Sequence, residues 1–221
     1  MLPAKFSPSV TWVAITSESL TSWQHQTFPG KQASVYSDVS HEGRQAVMAR
    51  AESSASMLRQ TVYVAPPELQ HLKFSWKVPA LIPDADMALR DADDSPVRLV
   101  LVFEGDRSKF SMKNAMLSEL AQTMTGEPMP YATLMYVWCN SRTPGSVIIN
   151  PRTDRIRKLV LESGEGRLNQ WLDYRRDIAA DFEQAFGEAP GALVGIGLMT
   201  DTDNTRSKTK AWYGPIRLVG R

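Results

Sequence analysis

The sequence predicts an all-β fold: an antiparallel β-sandwich of the jelly-roll or galactose-binding-like type, with two helices set in its connections. Three observations carry this. Strand-length runs, apolar or alternating, recur along the whole chain. Only two stretches show a helical period. The connections are short and marked by proline or glycine, with no shift in composition between them. A parallel α/β sheet would need a helix between most strands, and those helices are missing. The 221 residues are read as one domain, with residues 1–22 as a loosely attached N-terminal extension.

Strands are expected over residues 45–50, 57–64, 72–78, 97–104, 132–139, 146–150, 155–161, 192–200 and 211–218. In the third, Leu72, Phe74, Trp76 and Val78 alternate with Lys73, Ser75 and Lys77, so one face is wet. Residues 97–103 are apolar on nearly both faces, as a central strand requires. Residues 193–199 are similar, and Gly195 and Gly197 share a face, which implies close packing there. One helix is expected over 171–186, from the stripe Trp171, Tyr174, Ile178, Phe182, Ala185 and Phe186, with Asn169 as N-cap and Gly187 as stop. A second is expected over 115–124, with Met116, Leu117, Leu120 and Met124 inward. Trp12 and Trp23 receive no assignment.

Composition excludes several classes. With 43% hydrophobic residues the chain can bury a core, and no apolar run is long enough to span a bilayer. A formal net charge of +1 argues against a general nucleic-acid or membrane-surface role. The opening residues lack the apolar stretch of a signal peptide. The single cysteine, Cys139, sits in an apolar run and reads as a buried small hydrophobe. Three scattered histidines offer no metal-ligand spacing, and no phosphate loop or nucleophile elbow occurs.

The candidate site residues cluster around acidic turns. Asp201, Asp203 and Asn204 follow directly on an apolar strand, where binding loops of sandwiches sit. Hard oxygen donors of this kind could hold Ca²⁺, with Asp94 helping from another loop. The alternative is an Asx turn closed by Arg206 or by backbone N–H groups, and it needs no ion. Arg98, opposite Val97 and Leu99, is read as a structural partner for a nearby aspartate or as a ligand contact. Glu104, at the far end of the same strand, could join an aspartate as a catalytic pair. Of Trp212 and Tyr213, which point to opposite sides of the last strand, one should be exposed as a sugar platform. Asp181 borders the second helix's apolar stripe and should be buried and paired.

The segments Phe74-Ser-Trp-Lys-Val78, Asp93-Asp-Ser-Pro-Val-Arg-Leu99, Tyr136-Val-Trp138, Gly195-Ile-Gly-Leu-Met-Thr-Asp-Thr-Asp-Asn-Thr205 and Trp212-Tyr-Gly-Pro-Ile216 together resemble a bacterial family, domain of unknown function 3047. The resemblance runs from about Trp23 to Leu218. It implies an exported bacterial protein with no assigned activity, so a periplasmic or exported location. The ending Gly214-Pro-Ile-Arg-Leu218 is similar to that of sugar-binding jelly rolls, with Gly-Pro in place of two acids. Taken together, the expected function is a non-catalytic binding module for a glycan or cell-envelope polymer, using Asp94, Arg98, Glu104, Asp201, Asp203, Asn204, Trp212 and Tyr213. The alternative is a polysaccharide-acting enzyme with an Asp/Glu acid–base pair. No catalytic residue is assigned, and the oligomeric state is left open.

Overall fold

The computed structural model describes residues 23–219. Residues 1–22, with Trp12 and the expected extension, and residues 220–221 lie outside the described residues. The described strands form two packed sheets. The seven-stranded sheet runs β1 (Gln24–Thr27), β4 (Ser56–Val64), β11 (Leu193–Asp201), β6 (Ser95–Phe103), β7 (Ala132–Cys139), β9 (Ile156–Ser163) and β8 (Val147–Ile149). The six-stranded sheet runs β10 (Leu172–Asp177), β5 (His71–Lys77), β12 (Lys208–Tyr213), β3 (Arg44–Glu52) and β2 (Val35–His41), with β13 (Arg217–Val219) also on β5. All pairings between named strands are antiparallel except β7 with β9, so the antiparallel expectation needs that one amendment.

The core lies between the sheets. Leu99, Leu101 and Phe103 of β6 join Leu134, Tyr136 and Trp138 of β7 against Phe74 and Trp76 of β5. Phe74 stacks on Tyr136 with ring centroids 5.6 Å apart. Each such side chain contributes about 1.5–3 kcal/mol on burial, which is why alternation on these strands is so regular. β6 is apolar on both faces because its outer face is covered as well: Val100 is only 3% exposed. A smaller apolar cluster of Met87, Val137, Cys139, Ile148 and Val160 lies on that outer side, under the β5–β6 connection. Gly197 leaves room there for a neighbouring side chain. A Cβ at Gly197 would come within 2.5 Å of Met57 Sδ, whose side chain occupies the place beside it.

Four expectations are corrected and two strands are added. The 171–186 helix divides: residues 172–177 pair with β5 as β10, and only α2 (Ile178–Phe186) is helical. Leu172 and Tyr174 also fit period two, and the ladder with β5 claims them. The N-cap is Asp177, not Asn169; its side chain accepts from Ala180 N at 3.1 Å. Helix α1 (Met112–Thr125) starts at cap Ser111 and ends at Gly126 with φ 79°, but it is turned over. Met116, Leu120 and Met124 are 65%, 54% and 61% exposed. The side that packs is polar, because Asn114 donates to Asp154 at 2.7 Å and accepts from Thr153 at 2.8 Å. The 211–218 strand breaks at residues 214–216, where Pro215 lacks the N–H a ladder needs, into β12 and β13. Finally, β1 and β2 were not foreseen, since both are polar edge strands with little apolar signal.

α2 packs through Ile178, Phe182 and Ala185, with Phe182 4.6 Å from Phe103. Asp181 is buried beside this stripe and is compensated as expected: Arg176 pairs with it, and Tyr136 Oη donates to it at 2.7 Å. Unpaired, a buried carboxylate there would cost several kcal/mol.

Candidate functional site

β11 ends where its neighbour β6 begins, with Asp201 opposite Ser95 and Met199 opposite Arg98. This register brings the two acidic turns of the sequence together. Carboxylate oxygens of Asp94, Asp201 and Asp203 lie within 4.8 Å of one another. Arg98 projects on the outer face of β6 and clamps Asp201 through Nε at 2.8 Å and Nη2 at 2.9 Å. Its Nη2 also donates to Asp93 Oδ1 at 3.0 Å and to Asp93 O at 2.7 Å. Lys158, fully buried on β9, donates to both Asp93 oxygens at 2.7 and 2.6 Å and to Met87 O at 2.8 Å. These contacts fasten the β5–β6 loop to the sheet.

The turn is closed by several donors. Asp94 Oδ1 accepts from Asn204 N at 3.2 Å and Asn204 Nδ2 at 3.0 Å; Oδ2 accepts from Thr205 N at 2.7 Å and Thr205 Oγ1 at 2.6 Å. Asp201 Oδ1 also accepts from Ser95 N at 3.2 Å. Asp203 forms an ion pair with Lys31. Backbone N–H groups take part as expected, but the closing cations are Arg98 and Lys31, in place of the expected Arg206.

Burial dominates the electrostatics. It pushes the Asp201 carboxyl up to about 7, with the Arg98 charge pulling the other way. Burial also works to raise Asp93, but the Arg98 and Lys158 charges outweigh it and hold that carboxyl below the ordinary aspartate value. Lys158 is pushed down to about 8 by burial and by the Arg98 charge, against the pull of Asp93. Arg98 is itself desolvated, yet Asp201 and Asp93 hold it above the ordinary arginine value.

Beside this cluster lies an open groove of about 430 Å³. Strand residues Met135, Ile156 and Met199 give it an apolar floor. Four connections contribute its walls: Phe28 and Lys31, Arg90, Asn150 and Arg152, and Asp203 with Asn204. Asn150 Nδ2 donates to Asp93 at 3.1 Å, which ties one wall to the charge cluster.

Of the sequence-predicted residues, Asp94, Arg98, Asp201, Asp203 and Asn204 converge. Glu104 does not. It lies beyond the opposite end of β6, about 30 Å from Ser95 at the strand rise, so it cannot pair catalytically with Asp201. Trp212 and Tyr213 lie on the other sheet, and neither is an open platform. Trp212 is 7% exposed and stacked on His41 at 4.0 Å. Tyr213 is 2% exposed in the core; its hydroxyl donates to Met199 O at 2.6 Å and accepts from Arg98 N at 3.1 Å. Sequence reasoning missed Lys158, Asn150, Arg152, Arg90 and Phe28. Lys158 had a signal, a lone lysine in phase with Val160 on an apolar strand.

Comparison with known proteins places the chain. The family model described as protein of unknown function (DUF3047) matches residues 21–217. No curated protein matches the chain. A family 11 carbohydrate-binding module of the cellulosomal cellulase Lic26A-Cel5E of Clostridium thermocellum superposes with a TM-score of 0.50 at 9% identity, over 97% of both chains. At that identity the likeness is one of fold, and the fold is the jelly roll. A family 11 carbohydrate-binding module from Clostridium thermocellum in complex with a β-1,3-1,4-mixed-linked tetrasaccharide gives 0.46 at 9% identity, over 96% of this chain and 97% of that one. The xyloglucanase domain of NopAA from Sinorhizobium fredii, in complex with cellobiose, gives 0.47 at 8% identity, over 97% and 100%.

Proposed function

The chain belongs to the DUF3047 family, and we propose that it is a non-catalytic binding module for a glycan, seated in the groove beside Asn150, Arg152 and Asn204. The observation that carries this is the make-up of that groove. Amide and guanidinium groups from separate loops surround an apolar floor. Planar donors of this kind suit the vicinal hydroxyls of a sugar, while Phe28 and the methionines suit its C–H faces. The carboxylates at the groove are already engaged by fixed donors, so they serve as scaffold. The same engagement supports an ion-free acidic turn, since an ion at Asp94, Asp201 and Asp203 would have to displace Arg98 and Lys31. We infer an envelope polymer as the natural ligand, in keeping with the export that the family resemblance implies.

One observation favours a hydrolase instead. A carboxyl raised to about 7 is suited to general-acid work, and Asp201 is such a group. Against it, both Asp201 oxygens are taken by Arg98, one of them also by Ser95 N. A glycan array followed by product analysis decides. The expected result is binding without cleavage, weakened at least tenfold in Asn150→Ala and Arg152→Ala. New reducing ends that disappear in Asp201→Asn would replace this reading with the enzymatic one.

A further inference from the structure

The outer face of the six-stranded sheet carries a concentration of cations that the net charge of +1 conceals. Register places them. Arg217 of β13 and Arg175 of β10 both stand directly opposite Lys73 of β5, making a row of three cations across adjacent strands. Lys210 of β12 stands directly opposite Arg50 of β3. Like charges directly opposite, about 5 Å apart at Cβ, destabilise a sheet. Three other cations on or beside this face are answered by carboxylates, in the pairs Arg44–Asp173, Lys77–Glu42 and Lys208–Glu52. Arg50, Lys73, Arg175, Lys210 and Arg217 are exposed and have no carboxylate within ion-pair distance among the described residues.

The two cation groups each border a concavity. One, of about 630 Å³, is lined in part by Arg50, Lys208 and Lys210; the other, of about 380 Å³, by Arg44, Lys73 and Arg217. Lys77 pairs with Trp212, and Lys210 lies two residues from Trp212, so the groups stand about six residues apart along the strand direction. That is about 20 Å at the strand rise. A repulsive arrangement kept at both ends of an extended face calls for a counter-charge that repeats over the same distance.

We propose that this face binds a linear acidic polysaccharide, a chain with a carboxylate on successive sugars. Duplex nucleic acid fits less well. It carries a charge every 1.7 Å or so, and Glu42, Glu52 and Asp173 are interspersed among the cations. Single strands want stacking platforms, whereas Trp212 is covered by His41 and by Lys210, whose Nζ lies 5.4 Å from its ring. The surface shares no residue with the groove, so either assignment can fail without the other.

Affinity electrophoresis in polygalacturonate tests it, with fully methyl-esterified polygalacturonate as the uncharged counterpart. The parent chain should be retarded by the acidic polymer alone. Lys73→Glu combined with Lys210→Glu should weaken retardation at least tenfold, while the matched charge changes Lys109→Glu with Lys113→Glu, before and on α1, should not. Circular dichroism confirms that both variants are folded. Equal retardation in the methyl ester, or an equal loss in the Lys109/Lys113 variant, overturns the proposal. So does tighter binding to duplex DNA or to phosphatidylglycerol vesicles than to polygalacturonate.

Discussion

The two outer faces of this sandwich use charge in opposite ways. On the seven-stranded sheet a cluster of charges beside the groove is buried and answered: Arg98 and Lys158 meet Asp93 and Asp201 at hydrogen-bonding distance. On the six-stranded sheet five cations are exposed and have no carboxylate partner, with Lys73 held between Arg175 and Arg217. The first arrangement is expensive to make and more expensive to break, because removing one partner strands the other in a low-dielectric site. The second costs the fold something at every moment and returns stability only when a ligand neutralises it. Compensation thus separates charges that build the protein from charges that are spare for a partner.

The contrast can be broken by substitution, and the largest effect belongs to the buried side. Arg98→Ala leaves Asp201 and Asp93 without their shared cation. It should lower the free energy of unfolding in urea by about 3–5 kcal/mol. A loss under 1 kcal/mol would mean that the cluster is not structural. Asp94→Ala comes next. It strips acceptors from Asn204 N and Thr205 N and should cost about 1.5–3 kcal/mol, the range for hydrogen bonds to a charged group. The groove beside the loosened turn should then bind glycan more weakly.

Titration gives a third effect. Lys158 holds its proton less tightly folded, at about 8, than the ordinary value of 10.5. Between those values the unfolded chain binds a proton that the folded chain has released, so stability rises with pH across that window. Unfolding curves from pH 7 to 10.5 should show this rise in the parent and a flatter profile in Lys158→Met. The smallest effect is from calcium. Titration after chelation should give no heat and no change in melting temperature, because Arg98 and Lys31 already occupy the acidic turn. Heat that vanishes in Asp201→Ala would place an ion there.

Much of this was legible in the chain itself, for identifiable reasons. Strands such as β5, β6, β7 and β11 announced themselves because their inner faces are cleanly apolar. The convergence of Asp94 with Asp201, Asp203 and Asn204 followed from acidic residues placed at strand ends. What sequence could not show was set by topology. Arg90, Asn150, Arg152 and Phe28 meet only because β11, β6, β7 and β9 lie side by side. The inverted face of α1 depends on Thr153 and Asp154, which are far away in the chain. The basic face is equally hidden. Lys73, Arg175 and Arg217 are scattered in sequence and become neighbours through the β10–β5–β13 register.

The most direct test of the contrast is the stability of Lys73→Glu. This change turns a row of three cations into a carboxylate flanked by Arg175 and Arg217. If the cations of this face are spare, the variant unfolds at higher urea than the parent, by about 0.5–1 kcal/mol, the scale of cross-strand charge pairs. A variant less stable than the parent would contradict the account, because Lys73 would then be part of the scaffold, as Arg98 is.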